Sequence, residues 1–334
     1  MYKYLRPVLF RLDPENAHSL TLNLVRLAGI FPLARWLLQA RYAAPDNPVS
    51  AFGLTFKNPI GLAAGYDKDG VAVRGLAALG FGHIEVGTVT PRPQPGNPRP
   101  RIFRLVEDQA VINRMGFPGR GADFVTRQLA AIQRPSSIVL GVNLGKNKDT
   151  PLEEAAGDYI GLMHIFAPLA DYLTINISSP NTVGLRRLQG RQMLNELLGA
   201  IARERISLPC NIPVLVKLAP DLEKNELEDA LEVILATGMD GIVATNTTLS
   251  RPDLKSTRAV ESGGLSGTPL QALSLKMLEK IVRNVGGRIP VVSVGGVMTP
   301  ADADRRLQAG ATLVQVYTGL IFAGPGLIKK ILTG

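Results

Sequence analysis

A run of small polar residues closes one apolar stretch of the chain and could do chemistry on a bound ligand. Residues 173–182, Leu-Thr-Ile-Asn-Ile-Ser-Ser-Pro-Asn-Thr, alternate like a strand and then reach two serines and a proline, which a central strand does not continue through. Amide side chains donate and accept, so Asn176 and Asn181 suit a planar ligand with alternating C=O and N–H edges. An ordinary turn after a strand has the same composition, so the other strand ends must decide.

The elements that would position these residues form a repeating pattern. From residue 59 onwards, short apolar runs alternate with segments of helical periodicity. The runs predict eight strands, at 60–64, 83–89, 138–143, 172–177, 214–218, 241–245, 290–294 and 313–317. Helical patterns between them include 193–205, 222–236, 270–285 and 301–309. Parallel strands need helical crossovers, so the alternation predicts a (β/α)8 TIM barrel, an α/β fold. An open doubly wound sheet is the alternative, but no glycine-rich dinucleotide turn leads the repeat.

In such a barrel the chemistry takes place at the carboxyl ends of the strands. Most residues at the predicted ends are small, amide, hydroxyl or lysine, and the segments are 64–68, 87–88, 143, 176–181, 217, 245–247, 295–296 and 317–319. Paired glycines after the seventh strand and a Thr-Gly after the eighth are where barrels hold a phosphate on backbone N–H groups. The strand ends therefore predict a site for a phosphorylated planar cofactor and a small anionic substrate beside Lys68.

Lys217, at the end of the fifth predicted strand, has three interpretations. It could face the N1 region of a flavin and stabilise the anion formed there on reduction. It could form a Schiff base, as in aldolases, or it could be a structural lysine paired with a carboxylate. Composition and spacing do not separate the three.

Composition excludes several kinds of site. The chain has 334 residues, of which 46% are hydrophobic, and its one cysteine, Cys210, allows neither an internal disulfide nor a self-ligated iron–sulfur cluster. His18, His83 and His164 lack the spacing of a metal site or a serine-protease triad, so no metal is expected and Ser179 has no evident base. The net charge of +9 suggests an anionic lipid, a phosphorylated cofactor, an anionic substrate or nucleic acid as partner.

Residues 1–44 predict a helical module in front of a barrel domain at 45–334. Asp13 and Pro14 are typical of a helix start, and Gly29 and Pro32 are predicted to end that helix before a second one that carries Trp36. Two short, basic helices rich in leucine indicate a module on a membrane surface. Packing of their apolar faces on the barrel is the alternative.

Two segments interrupt the barrel repeat. Residues 101–114 alternate like a hairpin that would lie over the barrel mouth. Residues 247–269 are predicted to be a long loop, and loops of this length inside compact domains are commonly binding loops.

Seven segments, in order along essentially the whole chain, resemble the signature segments of the dihydroorotate dehydrogenase family. They are AAGYDKDG (63–70), GTVTPRPQPGN (87–97), NRMGF (113–117), NISSPNT (176–182), KLAPD (217–221), TNTT (245–248) and GGLSG (263–267). The basic N-terminal helices resemble, in character more than in sequence, those of the quinone-dependent, membrane-associated class 2. Tyr66 stands where Leu or Phe is usual, Pro118 follows Phe117, and Thr318 replaces a common serine, but no reacting group is lost.

The resemblance implies oxidation of (S)-dihydroorotate to orotate in de novo pyrimidine (UMP) biosynthesis. Ser179 is then the base that takes the C5 proton while hydride leaves C6 for FMN, and a membrane quinone reoxidises the FMN. Thr182 and Phe117 match positions that shape a proton relay. The implied substrate-binding residues are Lys68, Asn113, Arg114, Met115, Gly116, Phe117, Asn176, Asn181, Asn246 and Thr247. The implied FMN-binding residues are Ala64, Gly65, Tyr66, Asp67, Lys68, Thr88, Asn143, Asn176, Lys217, Thr245, Gly267, Gly296, Tyr317 and Thr318.

The resemblance also implies the partners. These are one FMN per chain, dihydroorotate and orotate, a membrane quinone, and an anionic membrane surface reached through the N-terminal helices. No nucleic acid is expected, and the protein is expected to be a monomer, peripheral on the cytoplasmic face of the inner membrane. The alternatives are a soluble class 1-type enzyme, another FMN barrel similar to the tRNA dihydrouridine synthases, for whose catalytic cysteine Cys210 is misplaced, and a Schiff-base lyase using Lys217.

Overall fold

The computed structural model describes residues 2–132, 134–135 and 137–334, and it begins with three helices. These are α1 (Tyr2–Arg11), α2 (Pro14–Ile30) and α3 (Pro32–Tyr42); Met1, the first residue of the predicted module, lies outside the described residues. The predicted start of α2 is confirmed, because the Asp13 carboxylate accepts hydrogen bonds from the N–H groups of Glu15 and Asn16. The module has one helix more than predicted, since the residues before Asp13 are themselves helical.

The predicted helix end at Gly29 is wrong, because α2 continues to Ile30 and stops only before Pro32. Gly29 instead allows close packing against the short helix α4 (Val73–Ala77), where a Cβ would lie 2.5 Å from the backbone nitrogen of Gly75. Within the described residues, no single helix is long and apolar enough to cross a membrane; α2 and α3 meet that criterion only as a pair bent by 109°.

The strands form a closed barrel, a hairpin and a small separate sheet. In chain order they are β1 (Val49–Ala51), β2 (Leu54–Phe56), β3 (Ile60–Leu62), β4 (His83–Val89), β5 (Ile102–Leu105), β6 (Ala110–Asn113), β7 (Val139–Leu144), β8 (Tyr172–Asn176), β9 (Val214–Leu218), β10 (Gly241–Ala244), β11 (Gly264–Gly267), β12 (Val291–Val294) and β13 (Leu313–Val316). The barrel runs β3-β4-β7-β8-β9-β10-β12-β13 and closes back on β3, with every pairing parallel. The predicted barrel is confirmed, since each of these strands overlaps one of the eight predicted.

Helices on the outside of the barrel connect its strands. The short helix α4 lies between β3 and β4, and the later crossovers contain α5 (Ala122–Ala131), α6 (Ala155–Phe166), α7 (Arg191–Arg205), α8 (Lys224–Ala236), α9 (Gln271–Val285) and α10 (Pro300–Gln308). Two further helices, α11 (Thr318–Ala323) and α12 (Leu327–Thr333), follow the last strand. The hairpin β1–β2, which was not predicted, packs Ala51 and Phe56 into the barrel interior against Tyr172 and Leu215. These side chains fill the barrel interior below the strand ends that carry the predicted site.

A three-stranded sheet lies over the carboxyl end of the barrel. Its strands β5 and β6 are the predicted hairpin. The third strand, β11, pairs antiparallel with β6, so the prediction of an unstructured loop at 247–269 is wrong for its last part. The strand β11 supplies the hydrogen-bonding partner that the edge of β6 needs. Its Leu265 side chain is buried with Phe103 and Ile112.

Candidate active site

One cavity of about 650 Å³ opens at the carboxyl ends of the barrel strands and reaches the N-terminal helices. Most of the sequence-predicted site residues line it: Ala64, Gly65, Tyr66, Lys68, Thr88, Asn113, Met115, Gly116, Phe117, Asn176, Ser179, Asn181, Lys217, Thr245, Asn246, Thr247, Gly267, Gly296, Tyr317 and Thr318. Four others, Asp67, Arg114, Asn143 and Thr182, lie outside its wall. The fold therefore brings together residues that are far apart in the sequence.

A network of amides and hydroxyls centred on Asn176 forms one wall of the cavity. The Asn176 Nδ2 donates to Thr88 Oγ1 at 3.0 Å and to Asn143 Oδ1 at 2.9 Å. Its Oδ1 accepts from Ser178 Oγ at 3.1 Å and from Asn246 Nδ2 at 3.4 Å. These bonds fix the direction of each amide before a ligand arrives, which is the preorganisation that recognition of a planar polar ligand needs.

Ser179 lies on the loop after β8 and presents its hydroxyl to the cavity. It is 5% exposed, whereas the neighbouring Ser178 is fully buried and bonded to Asn246 at 3.0 Å. The Ser179 Oγ accepts a hydrogen bond from the N–H of Asn181 at 3.3 Å and, in the described part of the chain, makes no hydrogen bond to a carboxylate or imidazole. The buried Thr182 hydroxyl has no hydrogen-bond partner among the described residues.

Residues 90–100, the cover loop, pack against the segments that carry Asn113 and Asn181. The Asn97 Nδ2 in this loop donates to the carbonyl of Asn181 at 3.0 Å. The Asn181 Nδ2 in turn donates to Asn113 Oδ1 at 3.1 Å. The asparagines of three separate segments are thereby held as one polar surface.

Lys68 provides a cation in this cavity. Its Nζ donates to the carbonyl of Gly65 at 2.7 Å. Burial lowers the pKa of Lys68 to about 8, and the nearby carboxylates of Glu15 and Asp69 oppose that shift. At neutral pH the side chain is still mainly protonated, so it can attract an anionic ligand.

Lys217 is a second buried cation, and it interacts with the buried carboxylate of Glu85, which was not predicted from the sequence. Burial lowers the pKa of Lys217, and the charge of Glu85 opposes this. Glu85 accepts hydrogen bonds from Asn143 at 2.7 Å, Gln315 at 2.9 Å and Tyr172 at 3.1 Å. Lys217 forms no ion pair with any residue that the structure describes, so its ammonium is available to a ligand. A charged residue within the apolar run 83–89 was the only sequence signal for Glu85.

At the end of the cavity near β12 and β13, glycines pack closely against the backbone of neighbouring segments. Gly296 has φ +73°, and a Cβ there would lie 2.5 Å from the Cα of Gln271. Gly267 has φ +95°, and a Cβ there would lie 2.3 Å from a backbone oxygen. The buried Arg306 guanidinium donates to the carbonyl of Gly295 at 2.8 Å and so fixes the glycine turn. A glycine turn after the last strands is the place where barrels of this kind hold a phosphate on backbone N–H groups.

The far end of the cavity is aromatic and lies between the barrel and the N-terminal helices. The His18 ring meets the Tyr66 ring edge-on at 5.0 Å, and Tyr66 meets Tyr317 at 5.7 Å. Burial lowers the pKa of His18 to about 4, so its imidazole is neutral at physiological pH. Arg104 also lines this end, over the Phe10 ring at 4.6 Å. The sequence reasoning assigned no role to His18 or Arg104, because neither lies at a strand end.

The outer faces of the N-terminal helices are apolar and exposed. The large side chains concerned are Tyr4, Leu5, Val8, Leu12, Leu20, Leu24, Leu27, Ile30, Phe31, Leu33, Trp36 and Leu37. Leu5, Val8 and Leu24 belong both to this exposed face and to the cavity wall. The cavity therefore reaches the protein surface through a concentrated apolar patch, which is typical of a binding or membrane surface.

Two predicted site residues direct their side chains elsewhere. The Asp67 carboxylate accepts from the N–H groups of Val71 at 3.0 Å and Ala72 at 2.8 Å, and so stabilises the turn before α4. Arg114 forms an ion pair with Glu261 at 2.7 Å, outside the cavity wall. Both side chains therefore support the protein structure, and their predicted contact with a ligand stays a prediction.

Comparison with known proteins identifies relatives over the whole chain. The family model described as Dihydroorotate dehydrogenase matches residues 48–334. Proteins named dihydroorotate dehydrogenase (quinone) from Acidithiobacillus ferrooxidans and Roseiflexus sp. are 50% and 49% identical, over 99% and 100% of this chain and 93% of each relative. The crystal structure of DHODH in complex with ferulenol from Eimeria tenella aligns with a TM-score of 0.88 and 39% identity, covering 97% of this chain and 92% of that one.

Proposed function

The chain belongs to the dihydroorotate dehydrogenase family, and from that membership we propose how its cavity performs the reaction. The protein oxidises dihydroorotate to orotate in pyrimidine biosynthesis, with a quinone as the electron acceptor. One observation carries the proposal for the site: a single cavity joins the polar strand ends to an apolar surface patch. A polar substrate and an apolar acceptor can therefore reach the same redox group from different sides.

We propose that the redox group is FMN, one per chain. The ammonium of Lys217 and the fixed amide of Asn176 would hold the polar edge of the isoalloxazine, and Thr88 and Thr245 would lie beside them. The glycine turn at Gly296, together with Gly267 and Thr318, would hold the phosphate. When bound, FMN supplies the hydride-accepting chemistry.

The dihydroorotate site that we propose is the polar surface formed by four asparagines of three segments. Asn113, Asn176, Asn181 and Asn246 offer donors and acceptors for the ring amides, with Thr247, and Lys68 would meet the substrate carboxylate. Ser179 would remove the C5 proton, and the buried Thr182 hydroxyl and Phe117 would shape the proton's exit. The N–H of Asn181 donates to the Ser179 oxygen and so orients it. The hydroxyl proton of Ser179 is then free to be donated onward.

We propose that the quinone enters between the N-terminal helices. The aromatic end of the cavity, at His18, Tyr66 and Arg104, would meet the quinone head, and Leu5 and Leu24 would meet its apolar tail. The exposed apolar faces with interspersed Lys and Arg would rest on an anionic membrane. The protein would then be a peripheral monomer on the cytoplasmic face of the inner membrane, with no nucleic-acid partner. Reoxidation of the reduced protein by quinone, but not by fumarate or NAD, tests this acceptor assignment.

The glycine turn gives a sharp test of the FMN proposal. Gly296→Ala should yield protein with little or no flavin absorbance near neutral pH, because the new methyl group would meet the Gln271 backbone at 2.5 Å and displace the turn. The measurement is the ratio of visible to ultraviolet absorbance of the purified protein.

Gly238→Ala is the matched control for this substitution. Gly238 has φ +68°, similar to Gly296, but a Cβ there would meet no atom within 4 Å. It carries the same backbone strain, about 1 kcal/mol, without the steric clash. Full flavin content in Gly296→Ala would contradict the phosphate assignment, and flavin loss in both variants would attribute the effect to strain alone.

A further inference from the structure

An ion pair that is largely shielded from solvent joins the N-terminal helix α2 to Arg101, the residue that follows the cover loop. Glu15, in the first turn of α2, accepts from Arg101 Nη2 at 2.7 Å and from Arg101 Nε at 3.1 Å, using both carboxylate oxygens. The Arg101 side chain is 7% exposed and that of Glu15 is 12% exposed. A bidentate arginine–carboxylate pair out of water is strong and directional, unlike a solvated surface pair.

The same guanidinium fixes the cover loop. The Arg101 Nη1 donates to the carbonyls of Pro95 at 2.6 Å and Asn97 at 2.8 Å. Gly96 lies between them with φ +74°, and a Cβ there would lie 2.8 Å from Arg101 Nη1 and 2.4 Å from the carbonyl oxygen of Met115. The cover loop thus rests directly on Arg101, at a distance that only glycine permits.

Asn97 connects this loop to the proposed substrate residues. Its Nδ2 donates to the carbonyls of Asn181 and Arg114, each at 3.0 Å. Asn181 then donates through its side chain to Asn113 at 3.1 Å and through its N–H to Ser179 Oγ at 3.3 Å. A continuous series of short polar contacts therefore links a helix of the N-terminal module to the proposed base.

Glu15 also acts on the cavity through its charge. Burial lowers the pKa of Lys68 to about 8, and the charge of Arg101 adds to the lowering. Three carboxylates oppose this shift, and Glu15 contributes more than Asp69 or Asp67. Removal of the Glu15 charge would leave Lys68 less protonated and weaken its attraction for an anion.

We propose that Glu15 and Arg101 are positioning residues for dihydroorotate, so that the helices which admit the quinone also organise the substrate half of the site. The inference rests on the proposed function, because it assumes that dihydroorotate binds against Asn113, Asn181 and Lys68. It makes residues 1–44 part of both half-sites, although the sequence predicted a separable module for the membrane and quinone.

The test is Glu15→Gln in the full-length, flavin-loaded protein. The KM for dihydroorotate should rise on the order of tenfold, as expected for loss of a charge-assisted bidentate pair. The KM for a short-chain quinone should change by less than about threefold. Flavin content and melting temperature are measured on the same preparations. Arg101→Lys, which keeps the charge but not the fork, should raise the KM for dihydroorotate in the same direction.

Arg99→Gln is the matched control. Arg99 also binds Glu15 Oε1, at 2.9 Å, but its side chain is 63% exposed and, among the described residues, donates to no carbonyl of the cover loop to which it belongs. Its removal should change the KM for dihydroorotate by less than about threefold.

Three results would overturn the inference: an unchanged KM for dihydroorotate in Glu15→Gln, an equal rise in both KM values, or an equal effect of Arg99→Gln. If Arg101→Lys fails to fold, Glu15→Gln alone decides. A wild-type protein that does not oxidise dihydroorotate at all would contradict the proposed function instead, so the two failures are distinguishable.

Discussion

Replacing Ser179 with alanine should lower the rate of dihydroorotate oxidation by roughly 10²- to 10⁴-fold, the usual contribution of a positioned general base. The proposed FMN-binding residues do not include Ser179, and among the described residues its hydroxyl bonds only to the N–H of Asn181, so the flavin spectrum should be unchanged. Anaerobic reduction of the flavin by dihydroorotate, followed at its visible absorbance maximum, isolates this step from quinone turnover.

Ser178→Ala separates the two neighbouring serines. The Ser178 hydroxyl is buried outside the cavity wall and bonds to Asn176 and Asn246, so its loss disturbs the orientation of those amides but removes no base. We expect the rate of flavin reduction to fall by only about tenfold, because Asn176 keeps its bonds to Thr88 and Asn143 when the two bonds of Ser178 are lost. Near-normal flavin reduction in Ser179→Ala, or a larger loss in Ser178→Ala, would sink the base assignment.

Deleting residues 1–43 should abolish quinone reduction. The helices α1 to α3 supply His18 and the apolar wall that separates the far end of the cavity from solvent. The glycine turn and Lys217 lie in the barrel, so the truncated protein should keep FMN. Its flavin should still be reduced by dihydroorotate at high concentration, but with a raised KM, because Glu15 is lost with the module. Sedimentation with anionic vesicles should also disappear.

A double substitution distinguishes membrane contact from quinone access. Leu33 and Trp36 on α3 are 70% and 60% exposed and do not line the cavity. Leu33→Gln with Trp36→Gln should therefore lose vesicle binding yet keep reduction of a short-chain, soluble quinone. Quinone reduction retained by the truncated protein would count against any role of α1 to α3 in electron transfer.

The barrel could be predicted from the sequence because its strands are buried on both faces and separated by amphipathic helices. Runs such as that of β9, Val214–Leu218, show this without knowledge of any partner. The hairpin β1–β2 and the strand β11 could not be predicted, since Gly264–Gly267 is stabilised by pairing with β6, more than 150 residues earlier in the chain. The four residues of β11 contain no signal that identifies β6 as their partner strand.

The site was predictable by residue type at the strand ends, but not in the direction of each side chain. Asp67 and Arg114 lie within matching motifs, yet one stabilises a turn and the other forms an ion pair with Glu261. His18 and Glu15 belong to a helix that the sequence linked to the membrane, and only the packing of α2 against the barrel places them near the site. Contacts between distant segments depend on the fold, so periodicity and spacing do not contain them.

We propose that one bound flavin serves a polar substrate at one end of the cavity and a quinone at the other. The most direct measurement is a visible spectrum of the anaerobic full-length protein, taken first after addition of dihydroorotate and then after addition of a quinone. The protein should be yellow, should be bleached by stoichiometric dihydroorotate with release of orotate, and should regain its colour with quinone but not with fumarate or NAD. A colourless protein, or a flavin that dihydroorotate does not bleach, would contradict this proposal.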